Sequence, residues 1–293
     1  MNMKNATAPS LPRLNVYALP ALLDPATLSG KPGEAAVVID VLRATTTIMY
    51  ALAAGAKEVV PLLEIGETLE MKRARIAAGE EPESILLGGE RGGTLIDGFD
   101  AGNSPGDYTP ERVGGKTLLF TTTNGTRAIH RVRKADVLIL AGFVNAAAVV
   151  QTLLNFESIQ IVCAGTDGQY TEEDMLLAGC LVERLHRLSG GRYAMNVEAW
   201  TVLDIWSRSF SLPEILGAAP LPEKSLAREL RTSRGGKNLL DLGLDRDIRA
   251  ASRIDSLADV PRTSPLRAAD GIVSFSFGKQ AAGRNLQPAS TWE

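Results

Sequence analysis

The chain is poor in the residues from which metal-thiolate sites and disulfide scaffolds are made. Of its 293 residues only two are cysteine, Cys163 and Cys180, and only two are histidine, His130 and His186. The cysteines lie in apolar runs and form no C-x-x-C pair, which points to a reduced, cytoplasmic protein. Both histidines stand beside arginine in helix-like stretches, so a His-rich zinc site is not expected and any metal should be held by oxygen. Positive charge is not in excess: Lys plus Arg is 31 against 34 for Asp plus Glu, a formal charge of -3. No basic field is available to hold a nucleic-acid backbone. The N-terminus MNMKNATAPSLPRL has no apolar core of the signal-peptide kind, and no window is long enough to span a bilayer. The expected partners are therefore small molecules, without nucleic acid or membrane.

What is present is an ordinary soluble composition, 45% hydrophobic and 22% charged, with a regular pattern in it. Short apolar runs recur, each ended by a polar, Gly-rich turn: AAVVID (35–40), KEVVPLL (57–63), SILLGGE (84–90), KTLLFTT (116–122), DVLILAG (136–142) and SIQIVCAG (158–165). Helix-like stretches lie between most of them. Strands that are apolar throughout and alternate with helices predict a three-layer α/β/α fold around a mainly parallel, possibly mixed sheet. Ligands bind such sheets beyond the carboxyl ends of the strands, so the polar residues after each run should meet on one rim. Residues 1–13 read as a flexible start and 14–265 as a single α/β domain, with 171–232 mainly helical. Residues 266–293 read as a C-terminal extension with one late strand in GIVSFSFGK. Trp200 and Trp206 read as core or interface residues, and the apolar helical segment that holds both offers a possible homodimer face.

Four strand ends carry chemistry. In VVIDVLRATTT (37–47), Asp40 has a plain reading as a helix N-cap. Arg43 and the Thr45, Thr46 and Thr47 hydroxyls beside a helix N-terminus make instead a pocket for an anion, and a carboxylate tolerates an anion when a divalent cation lies between them. In GGERGGTLIDGFDAGNSP (88–105), Glu90 and Arg91 stand between two Gly-Gly pairs and repeat the carboxylate-guanidinium theme. Asn103 and Ser104 are either a plain turn or ligand contacts. In TTTNGTRA (121–128), Thr123, Asn124, Gly125 and Thr126 form a loop able to present N–H and hydroxyl groups to an anion. In CAGTDGQYTEED (163–174), Asp167 is favoured as a metal ligand or base. At least two of Glu172, Glu173 and Asp174 read as helix-dipole partners only.

Taken together, VVIDVLRATTTI, GGERGG…GFDAGNSP, LLFTTTNGT, AGTDG…EED and SRGGKNLLDLGLDRDI resemble the 2-phosphosulfolactate phosphatase (ComB) family, in family order from about Val37 to Ile248. The resemblance implies a magnesium-dependent phosphoric monoester hydrolase with a three-layer α/β fold distinct from that of haloacid dehalogenases. Its implied reaction converts (R)-2-phospho-3-sulfolactate to 3-sulfolactate and phosphate, a step toward coenzyme M. Asp40, Glu90 and Asp167 are then the candidate catalytic and Mg²⁺-binding carboxylates. The candidate substrate contacts are Arg43, Thr45, Arg91, Asn103, Ser104, Thr123, Asn124, Gly125 and Thr126, with Ser233 and Gly236 of the later Gly-rich turn. The nucleophile is either water or Asp40, which lacks the second aspartate that haloacid-type enzymes carry two residues on. The rival readings are a phosphatase for another small phosphorylated sulfonate or carboxylate, and a non-catalytic organophosphate-binding protein. A dinucleotide oxidoreductase is disfavoured, because no G-x-G-x-x-G follows the first strand.

Overall fold

The protein is described by a computed structural model covering residues 11–215, 221–263 and 272–277. The strands are β1 (Arg13–Tyr17), β2 (Glu34–Ile39), β3 (Glu58–Pro61), β4 (Ile85–Arg91), β5 (Thr94–Leu95) and β6 (Thr117–Thr121). They continue with β7 (Val137–Ala141), β8 (Ser158–Cys163), β9 (Ala194–Met195), β10 (Arg262–Thr263) and β11 (Phe275–Ser276). The helices are α1 (Ala44–Ala53), α2 (Ile65–Ala77), α3 (Pro110–Val113), α4 (Gly125–Arg131), α5 (Ala146–Leu153) and α6 (Glu172–Leu188). Then come α7 (Val197–Ser209), α8 (Leu212–Ile215), α9 (Glu223–Thr232), α10 (Arg234–Asp241) and α11 (Asp245–Ala251). Each of the six apolar runs contains a strand, namely β2, β3, β4, β6, β7 and β8.

All described strands join one mixed sheet in the order β5-β4-β6-β3-β11-β10-β7-β2-β8-β1-β9. It consists of two parallel blocks, β4-β6-β3 and β7-β2-β8-β1-β9. The antiparallel pair β10-β11 lies between them, touching β7 at Ile139 and β3 at Val59. The strand of the GIVSFSFGK segment thus takes part in the sheet, with Phe275 fully buried.

Strand alternation builds the layers. Ala35, Val37 and Ile39 of β2 face α5, α6 and α7, together with Ile139, Ile161 and Leu181. Ala36 and Val38 face the other way, onto Ile48 and Leu52 of α1 and Ile129 of α4. Both faces of the central strands are covered, which is why their sequences are mainly apolar. In the second block Val60, Leu87 and Leu119 pack under α2, while Val59, Leu86 and Leu118 join the α1 side. Trp206 belongs to the core and stacks on Phe143 at 6.3 Å, whereas Trp200 is 53% exposed beside His186. No helix among the described residues is long and apolar enough to cross a membrane.

Candidate active site

The ends of β2, β4, β6 and β8 surround a cavity of about 380 Å³, closed on one side by α10. Asp40, Arg43, Glu90, Asn103, Thr123, Asn124 and Asp167 line it, as do Gly92, Gly93, Gly165, Gly235 and Asp241. The sequence reading therefore brings seven of its candidate residues to one place, because parallel strands deliver their carboxyl ends to the same rim.

Asp40 is the most constrained of them. It is 8% exposed and follows β2 directly. Its Oδ1 accepts a hydrogen bond from the N–H of Ala44, the first residue of α1, at 3.1 Å, although the N-cap position itself is Arg43 and not Asp40. The Oδ2 atom faces Gly125, where a methyl group would stand 2.6 Å away. Burial pushes the Asp40 carboxyl up to about 7; the Ala44 N–H works against this, and the nearby Glu90 and Glu173 charges add to it.

Glu90, 7% exposed, spends its oxygens on backbone. It accepts from the Thr123 N–H and the Gly93 N–H, each at 2.8 Å, and lies 3.3 Å from the Thr123 hydroxyl. It thereby ties the β4-β5 hairpin to the loop after β6. Asp167 is a rim residue in the left-handed region at φ 52, its side chain 69% exposed and 3.9 Å from Arg234. Its N–H donates to Asn124 Oδ1 at 3.3 Å, joining the third and fourth strand ends. Asn103 Oδ1 is buried without a hydrogen-bond partner.

Other candidates lie outside the cavity lining. Thr45 Oγ1 accepts from the Asp40 N–H at 3.2 Å and donates to the Ala141 carbonyl at 2.7 Å, so it braces the turn from behind. Thr126 closes a pair with Thr122, its hydroxyl donating to the Thr122 carbonyl at 2.8 Å. Arg91 points away: it donates to the carbonyls of Glu90 and Leu63 and to the Thr121 hydroxyl. Strand alternation explains this, since Glu90 and Arg91 are consecutive in β4 and face opposite sides. Ser104 donates its hydroxyl to Asp247. Ser233 caps α10, accepting from the Gly236 N–H at 3.2 Å, and Gly236 is wedged against the Leu230 carbonyl. The start of α10 is occupied by acids of α6 rather than open to an anion, for the Arg234 N–H donates to Glu172 at 3.0 Å.

Two of the three acids that open α6, of which the sequence reads at least two as dipole partners only, are buried behind Asp40. Glu173 and Asp174 are 2% and 3% exposed. Asp174 accepts from the Val41 N–H at 2.9 Å and the Gly165 N–H at 3.0 Å, linking the ends of β2 and β8. Burial, then the charges of Asp40 and Glu173, hold its carboxyl well above the usual range. Burial likewise raises Glu173. The only sequence signal for them was a run of three acids where one suffices for a helix dipole. Asp247, 1% exposed and paired with Arg43 at 2.8 Å, was also missed.

The cavity lining carries four carboxylates, Asp40, Glu90, Asp167 and Asp241, and one guanidinium, Arg43. A phosphate cannot settle among them without added positive charge. Among the described residues no three acidic, His or Cys side chains converge into a ready ligand set. Magnesium suits such a site, since it keeps several waters and takes one or two carboxylates plus substrate oxygens. The Asp40 Oδ2 and Asn103 Oδ1 atoms are oxygens of the right kind, so the donors fit an oxygen-bound divalent cation.

The family model described as 2-phosphosulpholactate phosphatase matches residues 22–265. A probable 2-phosphosulfolactate phosphatase of Synechococcus sp. (strain CC9605) is 42% identical over 233 residues, covering 78% of this chain and 88% of that protein. One from Thermotoga petrophila is 39% identical over 227 residues, 77% of this chain and 87% of its own length. One from Gloeobacter violaceus is 38% identical over 252 residues, 85% and 94% respectively. With a matching family model over most of its length and relatives near 40% identity, the chain belongs to the 2-phosphosulfolactate phosphatase family.

Proposed function

We propose that the protein is a magnesium-dependent phosphatase that hydrolyses (R)-2-phospho-3-sulfolactate to 3-sulfolactate and inorganic phosphate. The observation that carries this reading is the lining itself: carboxylates outnumber cations around the cavity, in a chain whose family is named for a multiply anionic phosphoester. A receptor for an anion gains nothing from extra carboxylates, whereas a site that recruits a cation does.

In this reading Asp40, through its Oδ2, and the Asn103 side-chain oxygen hold the cation. A bound magnesium ion supplies positive charge that draws the phosphoryl oxygens and stabilises the charge of the transition state. Arg43 and the Asn124 amide orient the anionic groups of the substrate. Glu90 fixes the Thr123 backbone and the hairpin so that this arrangement is already built before substrate arrives. Asp167, open to water on the rim, accepts a proton from the attacking water. The water oxygen bonds to phosphorus as the ester P–O bond breaks, and the proton that Asp167 takes from the water passes through solvent to the departing alkoxide of sulfolactate. We favour water over Asp40 as nucleophile, because no second aspartate lies two residues on to serve as its acid and base.

The test is phosphate release from 2-phosphosulfolactate and from a panel of other phosphate monoesters, with magnesium or manganese and after exhaustive chelation. Release from 2-phosphosulfolactate that needs the cation is expected. Full activity after chelation overturns the metal assignment. Release from none of the esters overturns the enzymatic reading, and release from another ester alone overturns the substrate.

A further inference from the structure

We infer that Asp247 is a positioning residue that sets the anion-binding edge of Arg43. The inference rests on the proposed function, since it concerns the arginine assigned there to the substrate.

Arg43 is the one cation lining the cavity among the described residues, and it is 6% exposed. It is held from two sides. Its Nη1 donates to Asp247 Oδ2 at 2.8 Å, and its Nη2 donates to the Gly93 carbonyl at 2.9 Å. A flexible four-bond side chain is thereby fixed at both terminal nitrogens by groups on different elements, α11 and the β4-β5 hairpin. Asp247 is fixed in turn: its other oxygen accepts the Ser104 hydroxyl, and Arg246 Nε stands 3.7 Å away. At 1% exposure it has no solvent to orient it and no freedom to swing. Two residues that the sequence reading gave to the substrate, Arg43 and Ser104, thus meet on a carboxylate lying more than a hundred residues later.

A purely structural ion pair would not need this arrangement. A buried pair contributes little net stability over well-packed apolar residues, while it does fix geometry. What Asp247 fixes is the direction in which the guanidinium fork presents itself, and fork geometry is what separates arginine from lysine in gripping phosphate or sulfonate oxygens. The same contact joins α11 to the hairpin and to the 103–104 turn. Arg43, the hairpin and the 103–104 turn, three parts of the cavity wall, are therefore registered against one another through a single carboxylate that lies behind it.

The experiment is a double-mutant cycle on the magnesium-supplemented full chain, using Asp247→Asn, Arg43→Lys and the double variant. Phosphate release from 2-phosphosulfolactate gives kcat and KM, and a thermal melt reports folding for each. Asp247→Asn in the otherwise natural chain should raise KM and lower kcat/KM by at least about tenfold. In the Arg43→Lys background the same change should cost less than about twofold, because the fork it orients is already gone. Equal losses in the two backgrounds, or a lowered melting point with unchanged kinetics, overturn the inference. Where Asp247→Asn, which removes the carboxylate partner of Arg43, fails to fold, Ser104→Ala stands in, removing one support of Asp247 without stranding a charge. It should raise KM about two- to threefold in the natural chain and leave it unchanged with Arg43→Lys; equal effects in both again overturn the inference. A natural chain that releases no phosphate defeats the proposed function instead, and calorimetric binding of 3-sulfolactate to the same variants then decides the Asp247 role alone.

Discussion

Asp40→Asn sets activity against stability in one side chain. The Asp40 carboxyl has an ordinary value of 3.8 and is pushed up to about 7, chiefly by burial. An acid whose folded value exceeds its unfolded one favours the folded state most when protonated. That advantage is lost as pH climbs from 3.8 towards about 7 and is gone above it. The interval corresponds to about 4 kcal/mol of folding free energy given up at neutral and alkaline pH. Asparagine keeps the shape and the acceptor for the Ala44 N–H but carries no charge. In the absence of metal at about pH 8, Asp40→Asn should therefore be more stable than the natural chain by up to about 4 kcal/mol, the difference shrinking as pH falls towards about 4. Phosphate release should drop at least about a hundredfold. Magnesium should raise the melting temperature of the natural chain and leave that of the variant unmoved. The assay is a series of metal-free and magnesium-loaded melts across pH, run beside the phosphate assay. A variant that melts at or below the natural chain at alkaline pH would refute the view that Asp40 is held against its own electrostatics.

Gly125→Ala places a methyl 2.6 Å from Asp40 Oδ2 and 2.5 Å from Ala44 Cβ. Overpacking of this kind costs about 1–3 kcal/mol, and pushing the carboxylate aside should reduce turnover of the folded protein about a hundredfold; a lower melting point with unchanged specific activity would make the loop purely structural. Arg43→Lys should lower kcat/KM at least about tenfold, equivalent to about 1.4 kcal/mol of transition-state binding. Arg91→Lys should instead lower the melting point and leave kcat/KM within about twofold, since Arg91 grips Leu63, Glu90 and Thr121 rather than the cavity; equal kinetic losses in the two variants would contradict the division between them.

Much of the fold was legible because the central strands are buried on both faces and say so locally. The six runs that became β2, β3, β4, β6, β7 and β8 are mainly apolar, and polar or Gly-rich turns mark where they end. The convergence of Asp40, Glu90, Asn124 and Asp167 followed from strand direction alone. β1 was missed although Leu14 and Val16 alternate with outward residues, because five residues of alternation are too few to stand out. β10 and β11 contribute two residues each, and their pairing depends on partners more than a hundred residues away. No local pattern encodes that. Arg91 was readable: its neighbour Glu90 faces the cavity, so period-two alternation sends Arg91 to the other side. Glu173 and Asp174 were not, since acids in a first helical turn look alike whether they meet water or a neighbouring strand end. Their meaning comes from where the start of α6 docks, behind Asp40.

The antiparallel pair β10-β11 has a kinetic consequence. Asp40 extends from one parallel block and Glu90 from the other, and the pair that bridges the blocks is the last in chain order among the described strands. Sheet pairings between segments this far apart close slowly, because a long loop must be ordered before any contact rewards it. A growing chain halted before Arg262 would hold every residue of the cavity wall and lack the seam between its two halves. Such a chain would leave β3 and β7 with unpaired edges, open to pairing with a second chain. Catalytic competence in this molecule should therefore appear as a late event in folding, later than the secondary structure that carries its carboxylates.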